Sequence, residues 1–284
     1  MLGDKLTDIE GIKTEVVIKD YIPVHKGNYN ILTGAGGVGK SQVSLKMLAH
    51  FLQSNPEETA VCIFTEDTKD VIIDRLDSIT RNMKITTQEV VERSFFKTLD
   101  NHDGKVFVSK IQRQNILDTD YLEKFILNAK ERKVGFIILD PLEAFHNGLN
   151  ENDAEDMKFL VVEAFQRLGV QIGAAVVVLH HTSKGDTGGS RGSGVITNKG
   201  RVAYNVRKLM ELDKDLGIDV VKKGWEKSVL LSTIKDNHFI ARYCNVMSNQ
   251  NGKLDLPVNF SNSSYKSDIQ VEETTYGDND YLRD

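Results

Sequence analysis

Cysteine is nearly absent from this chain: Cys62 and Cys244 are the two among 284 residues. Neither has metal-ligand spacing around it. A disulfide scaffold and a cysteine-built zinc site are therefore excluded, and both thiols are expected to be reduced. No apolar run approaches the length of a membrane span. The first residues, Met1-Leu2-Gly3-Asp4-Lys5, lack the basic and apolar regions of a secretory signal. An excess of positive charge is missing as well. The net charge is −5 with an isoelectric point near 5.9, which argues against a surface coated with nucleic acid but leaves room for a local basic channel. No internal repeat is present. What remains, at 40% hydrophobic and 27% charged, is the composition of a cytoplasmic enzyme with no membrane association and a sizeable core.

The organising stretch is Gly34-Ala35-Gly36-Gly37-Val38-Gly39-Lys40-Ser41, which matches the phosphate-binding pattern G-x-x-x-x-G-K-[ST] at every fixed position. Tyr29–Thr33 leads in as a strand. Val43, Met47, Leu48, Phe51 and Leu52 follow at helical spacing. Glycines at 34, 36, 37 and 39 let the backbone N–H groups, Val38 among them, wrap phosphate oxygens, and the helix N-terminus adds partial positive charge. Lys40 reaches the outer phosphates, and the Ser41 hydroxyl can ligate Mg²⁺. A plain glycine turn between strand and helix would need none of these fixed positions. The expected ligand is a nucleoside triphosphate with Mg²⁺.

In chain order, residues 1–28 read as a leader, 29–260 as one ATPase domain, and 261–284 as an acidic tail without stable structure. Ala60–Phe64 is a buried strand ending at Thr65-Glu66-Asp67, followed by a helix with Val71, Ile72, Leu76 and Ile79 on one face. Residues 84–120 are polar and mixed, with only Val106–Val108 expected as a strand. A helix carrying Tyr121, Leu122, Phe125, Ile126 and Ala129 delivers the chain to the strand Val134–Asp140. The acidic stretch 150–156 caps a helix with Met157, Leu160, Val161, Ala164, Phe165 and Leu168. The strand Ala175–Leu179 and a glycine-rich loop, 182–194, come next. Strands alternating with helices predict an α/β fold: a mostly parallel central sheet with helices on both faces. From Val202 the shorter segments Val229–Ile234 and Phe239–Val246 predict antiparallel strands at the C-terminal edge.

Several residues fall where phosphate chemistry needs them. Phe136–Asp140 is an apolar strand ending in an acid, and beside the P-loop strand Asp140 would hold Mg²⁺. Glu66, also at a strand end, can polarise a water for attack on the γ-phosphate. The alternative is a helix N-cap, a role that Asp67 could take instead. His180 and His181 follow a strand, and neighbouring side chains there point to opposite faces, so the two cannot readily share one metal. One of them can sense the γ-phosphate by hydrogen bonding; the other reading is a structural histidine. Thr182–Lys208 carries Lys184, Arg191, Lys199, Arg201, Arg207 and Lys208 against Asp186, a local net of +5. A basic loop of this kind suits a polyanion such as a nucleic-acid backbone, unless it is an ordinary solvated loop.

These residues carry a resemblance. Leu179-His180-His181-Thr182-Ser183-Lys184-Gly185, followed by Ser190-Arg191-Gly192-Ser193, resembles the RepA family of plasmid-encoded hexameric replicative DNA helicases. The Glu66-Asp67 pair and Phe145-His146 are also similar, and the likeness spans roughly residues 20–245. It implies a RecA-like core, a six-subunit ring, ATP bound between subunits and single-stranded DNA in the central hole. By resemblance, Glu66 is the catalytic base and Asp140 supports the metal. His181 becomes the γ-phosphate sensor and Arg201 an arginine finger supplied to the neighbouring subunit, while Lys235 falls where a second cation at the nucleotide is expected. Lys184, Arg191 and Lys199 are the candidates for DNA contact. Three other readings stand beside the helicase: a RecA-type recombinase forming a filament, a regulatory RecA-like ATPase with a protein partner, and a small-molecule P-loop kinase.

Overall fold

The computed structural model describes residues 24–111, 115–182, 194–209, 212–213, 218–219, 221, 228–236, 243–250 and 253–261. A nine-stranded sheet runs through it, in the order β14-β13-β12-β9-β1-β8-β6-β2-β3. Its central strands are β1 (Asn28–Gly34), β2 (Thr59–Phe64), β6 (Val134–Asp140) and β8 (Ala175–His181). With β3 (Ser94–Lys97) on one side and β9 (Val202–Lys208) on the other, these six strands are parallel. The near-continuous apolar character of Val134–Leu139 and Ala175–Leu179 follows from that, because a parallel strand is covered on both faces. β12 (Ser228–Asp236), β13 (Tyr243–Gln250) and β14 (Lys253–Ser261) add the antiparallel edge.

Alternation sorts each strand's side chains between two cores. Leu32, Cys62, Phe136, Ile138, Val177 and Leu179 face one side, against α1 (Lys40–Ser54), α2 (Lys69–Thr80) and α3 (Thr87–Glu92). There Phe51 of α1 stacks on Phe136 with centroids 5.0 Å apart. Ile31, Ile137, Leu139, Val176 and Val178 face the other, under α4 (Asp120–Glu131) and a long helix. That helix begins as α5 (Ala154–Phe159), widens to π geometry over Leu160–Gln166 and ends as α6 (Arg167–Ile172). Asp153 caps its start, accepting from the backbone N–H groups of Glu155 and Asp156, as an N-cap aspartate should. A small sheet of β5 (Asn115–Asp118), β4 (Val108–Ile111) and β7 (His146–Asn147) lies off the main one, and β10 (Leu212–Asp213) pairs with β11 (Ile218–Asp219). A short α7 (Val195–Lys199) precedes β9.

Five expectations need correction. β6 is not beside the P-loop strand, because β8 lies between β1 and β6. Val71 is 38% exposed and off the buried face of α2, which Ile72, Leu76, Ile79 and Thr80 make up. Residues 84–120 hold more than one strand: α3 carries a capping box, with Thr86 and Glu89 each bonding the other's backbone N–H, and β3 closes the sheet. The strand expected at Val106–Val108 starts at Val108. Finally, the C-terminal half of the basic stretch is no loop. Val202–Val206 is buried and pairs in parallel with β1, which places it inside the sheet. The putting of Phe239 in a strand, and the nature of the tail after Ser261, lie outside the described residues.

Candidate nucleotide site

Strand β1 ends at Gly34, where φ is +156° and an added Cβ would stand 2.4 Å from the Val206 carbonyl oxygen. Only glycine lets the turn pass that close to β9. Gly39 then enters helix α1 in the left-handed region, at φ +99°. The helix starts with no side-chain cap and no acid in its first turn. Its first N–H groups are therefore turned toward whatever occupies the loop, an arrangement suited to an anion.

The ends of β8 and β6 and the turn after β2 bring the other groups in. A cleft of about 660 Å³ is lined by Gly37, Val38, Gly39, Lys40, Ser41, Gln42, Glu66, Asp67, Arg75, Asp140, His181, Lys208, Ser228 and Val229. Lys40 Nζ lies 2.9 Å from the Gly34 carbonyl, 3.1 Å from that of Ala35 and 3.1 Å from His181 Nδ1. A charged lysine only donates, so His181 accepts at Nδ1 and keeps its proton on Nε2. That nitrogen is 4.0 Å from Glu66 Oε2. Burial lowers the Lys40 pKa, opposed by Asp140, Glu143 and Glu66. Burial and then Lys40 lower that of His181, so its ring is neutral at pH 7.

Ser41 Oγ donates to Asp140 Oδ2 at 2.6 Å. Asp140 is buried, and burial raises its pKa to about 6, with Ser41 pulling down and Asp67 and Glu66 adding to the rise. Two hard oxygen ligands at this spacing, one on a carboxylate that is costly to bury without a counter-charge, fit Mg²⁺. Ser41 and Asp140 would hold it. Bound there, Mg²⁺ would neutralise charge on the phosphate oxygens.

Asp67 accepts from both terminal guanidinium nitrogens of Arg75, one contact at 3.1 Å. It is not the N-cap of α2. That helix begins at Lys69, whose N–H donates to Asp100 Oδ2 at 2.7 Å. The Glu66 side chain, by contrast, is 67% exposed at the cleft mouth. Of the adjacent acids, Glu66 is the one available to a water.

His180 and His181 are the last residues of β8 rather than residues beyond it. His181 turns to Lys40 and the fully buried His180 turns to Glu143, so alternation separates the pair. Arg201 and Lys235 do not line the cleft. Arg201 N–H bonds the Tyr29 carbonyl at 3.0 Å, at the entry end of β1. Five residues of strand separate that point from Gly34, about 16 Å at ~3.3 Å per residue. Lys235 Nζ bonds the carbonyls of Asn198 and Gly200, the latter at 2.9 Å, and so braces the turn that carries Arg201. Lys199 is close enough to depress the Lys235 pKa, after burial and Arg201. Lys184 and Arg191 lie outside the described residues. Arg75, Gln42, Ser228 and Val229 were not expected at the cleft. Arg75 carries no motif, and the β12 residues arrive through an antiparallel pairing that no local pattern announces.

A family model described as "AAA domain" matches residues 12–187, well over half of the chain. The chain belongs to the AAA domain family. It is a nucleotide-hydrolysing P-loop ATPase with an α/β fold. The match to the AAA domain contains the P-loop, Glu66, Asp140 and His181, and it ends before Arg201 and Lys235. Among curated proteins, none matches the chain closely enough to count as a relative. Among the described residues of this AAA domain protein, no helix is long and apolar enough to cross a membrane.

Proposed function

We propose that this ATPase is a replicative DNA helicase or translocase, working as a hexameric ring on single-stranded DNA. In this reading ATP enters with its phosphates on the P-loop amides, and Lys40 exchanges the Gly34 and Ala35 carbonyls for phosphate oxygens. Glu66 takes the proton from the attacking water. The water oxygen bonds to the γ-phosphorus as the bond to the leaving ADP oxygen breaks. His181, released from Lys40, reports the presence of the γ-phosphate. The ring supplies the rest.

The observation that carries the ring is the separation of the cations. Among the described lining residues of the cleft, the one arginine, Arg75, is engaged by Asp67, and the other cations are Lys40 and Lys208, which lack a planar fork. Arg201, with Lys235 and Lys199 around it, sits at the opposite end of the sheet from its own P-loop. The Arg201 Nε is buried without a hydrogen-bond partner among the described residues. A guanidinium so placed cannot serve its own γ-phosphate, but it can serve a neighbour's. Resemblance around His180-His181 and Ser190-Arg191 supports DNA as the substrate. A RecA-like ATPase that forms filaments, or one that answers to a protein partner, is the second reading.

Steady-state phosphate release with and without single-stranded DNA, combined with electron microscopy of particle shape, separates these. Stimulation by DNA with closed rings is expected. DNA-independent turnover would favour a protein-regulated ATPase, and open filaments would favour a recombinase.

A further inference from the structure

A second set of side chains able to ligate a metal lies outside the nucleotide cleft. The turn after β6 carries Glu143, β7 opens with His146, the loop before α5 carries Glu151, and His180 comes from the end of β8. His180 Nδ1 is 3.5 Å from Glu143 Oε1, and His146 Nε2 is 4.0 Å from Glu151 Oε1. One ligand atom each from Glu143, Glu151 and His180 falls within 4.8 Å of the others. Ligands about 2.0–2.1 Å from a tetrahedral zinc ion stand roughly 3.3–3.5 Å apart. The Glu143–His180 pair already has that spacing, and Glu151 need close by only about an ångström.

Polar accounting points the same way. The His146 side chain is 8% exposed. Both its ring nitrogens, and Glu143 Oε2, are buried with no hydrogen-bond partner among the described residues. Leaving such groups unsatisfied is costly, and native interiors rarely tolerate it. The loop bearing Glu151 is fixed from behind. Asp156 Oδ2 accepts from the Asn150 N–H at 2.8 Å and is itself paired with Lys110.

We propose that Glu143, Glu151 and His180, with His146 turning in from beside Glu151 as the fourth ligand, bind one divalent transition-metal ion, best zinc, at a site separate from the Mg²⁺ position at Ser41 and Asp140. Two imidazoles select against Mg²⁺, which prefers all-oxygen shells, and two carboxylates neutralise a dication. The ion would join the turn three residues beyond Asp140 to the strand residue beside His181. It would thereby fix the spacing of two groups that line the cleft.

The test uses the full, untagged chain, stripped with a chelator and titrated with Zn²⁺ against a chromophoric competitor. One equivalent should bind and raise the melting temperature. Glu151→Gln and His146→Gln, at side chains less embedded than His180, should each weaken zinc at least tenfold and abolish that rise. Asp140→Asn should leave zinc binding intact. No stoichiometric zinc in the wild type would overturn the proposal. So would binding unaffected by both ligand substitutions in folded protein, or zinc lost with Asp140→Asn.

Discussion

Replacing Asp140 with asparagine should make the nucleotide-free protein more stable and catalytically inert. The carboxyl is buried and its pKa stands at about 6 against an ordinary 3.8. A raised carboxyl pKa means the folded state holds the proton more tightly than the unfolded state does. The stability this provides is complete below the unfolded value. It is lost as pH rises through the folded one. At roughly 1.36 kcal/mol per unit, the charged form costs about 3 kcal/mol by pH 7. Asparagine is neutral at every pH and its amide oxygen still accepts from Ser41, so it escapes that cost. The variant should exceed wild type by about 0.5 kcal/mol at pH 4 and by about 3 kcal/mol at pH 7, then stay level. A chain of this size gains roughly 2–4 °C per kcal/mol. Thermal unfolding monitored by circular dichroism from pH 4 to 8, without Mg²⁺ or nucleotide, reads this directly. A difference that stays flat with pH, or a variant less stable than wild type at pH 8, refutes the reasoning. Hydrolysis by Asp140→Asn should be near background throughout.

Glu66→Gln keeps shape but loses the base, so ATP should bind and remain trapped. If Asp67→Asn abolishes turnover while Glu66→Gln does not, the base is Asp67. On α2, Ile72→Ala should cost about 2–5 kcal/mol in denaturant unfolding and Val71→Ala under about 1; equal losses would place Val71 in the core after all. Arg201→Ala should bind ATP nearly normally and hydrolyse it poorly, a guanidinium of this kind being worth roughly 10³–10⁵ in rate elsewhere. Mixed with Lys40→Ala, it should regain part of the activity once labelled chains show subunit exchange. Exchange without recovery rules out action in trans.

The parts of the site that rest on local pattern were legible. Fixed glycines, Lys40 and Ser41 define the P-loop within eight residues, and the strand ending at Asp140 and the strand just before Glu66 announce themselves as short apolar runs. Alternation alone separated His180 from His181. What the pattern could not carry is pairing between distant segments. Nothing in Val134–Asp140 says that β8 intervenes between it and β1. Likewise, Val202–Val206 sits within a basic stretch, and its burial is decided by pairing with Ile31–Thr33. The α3 capping box was visible as Thr86 and Glu89 at i, i+3, but the helix behind it is only six residues long and has a single buried side chain, Val90. Arg75 reaches back past the start of α2 to Asp67, a contact set by side-chain direction rather than by sequence.

The central claim is that this cleft hydrolyses ATP through Lys40. Phosphate release from Mg²⁺-ATP by wild type and by Lys40→Ala tests it most directly, with circular dichroism showing both chains folded. Removing the ammonium that holds the outer phosphates should lower turnover by orders of magnitude. Near-normal release by folded Lys40→Ala would contradict the account.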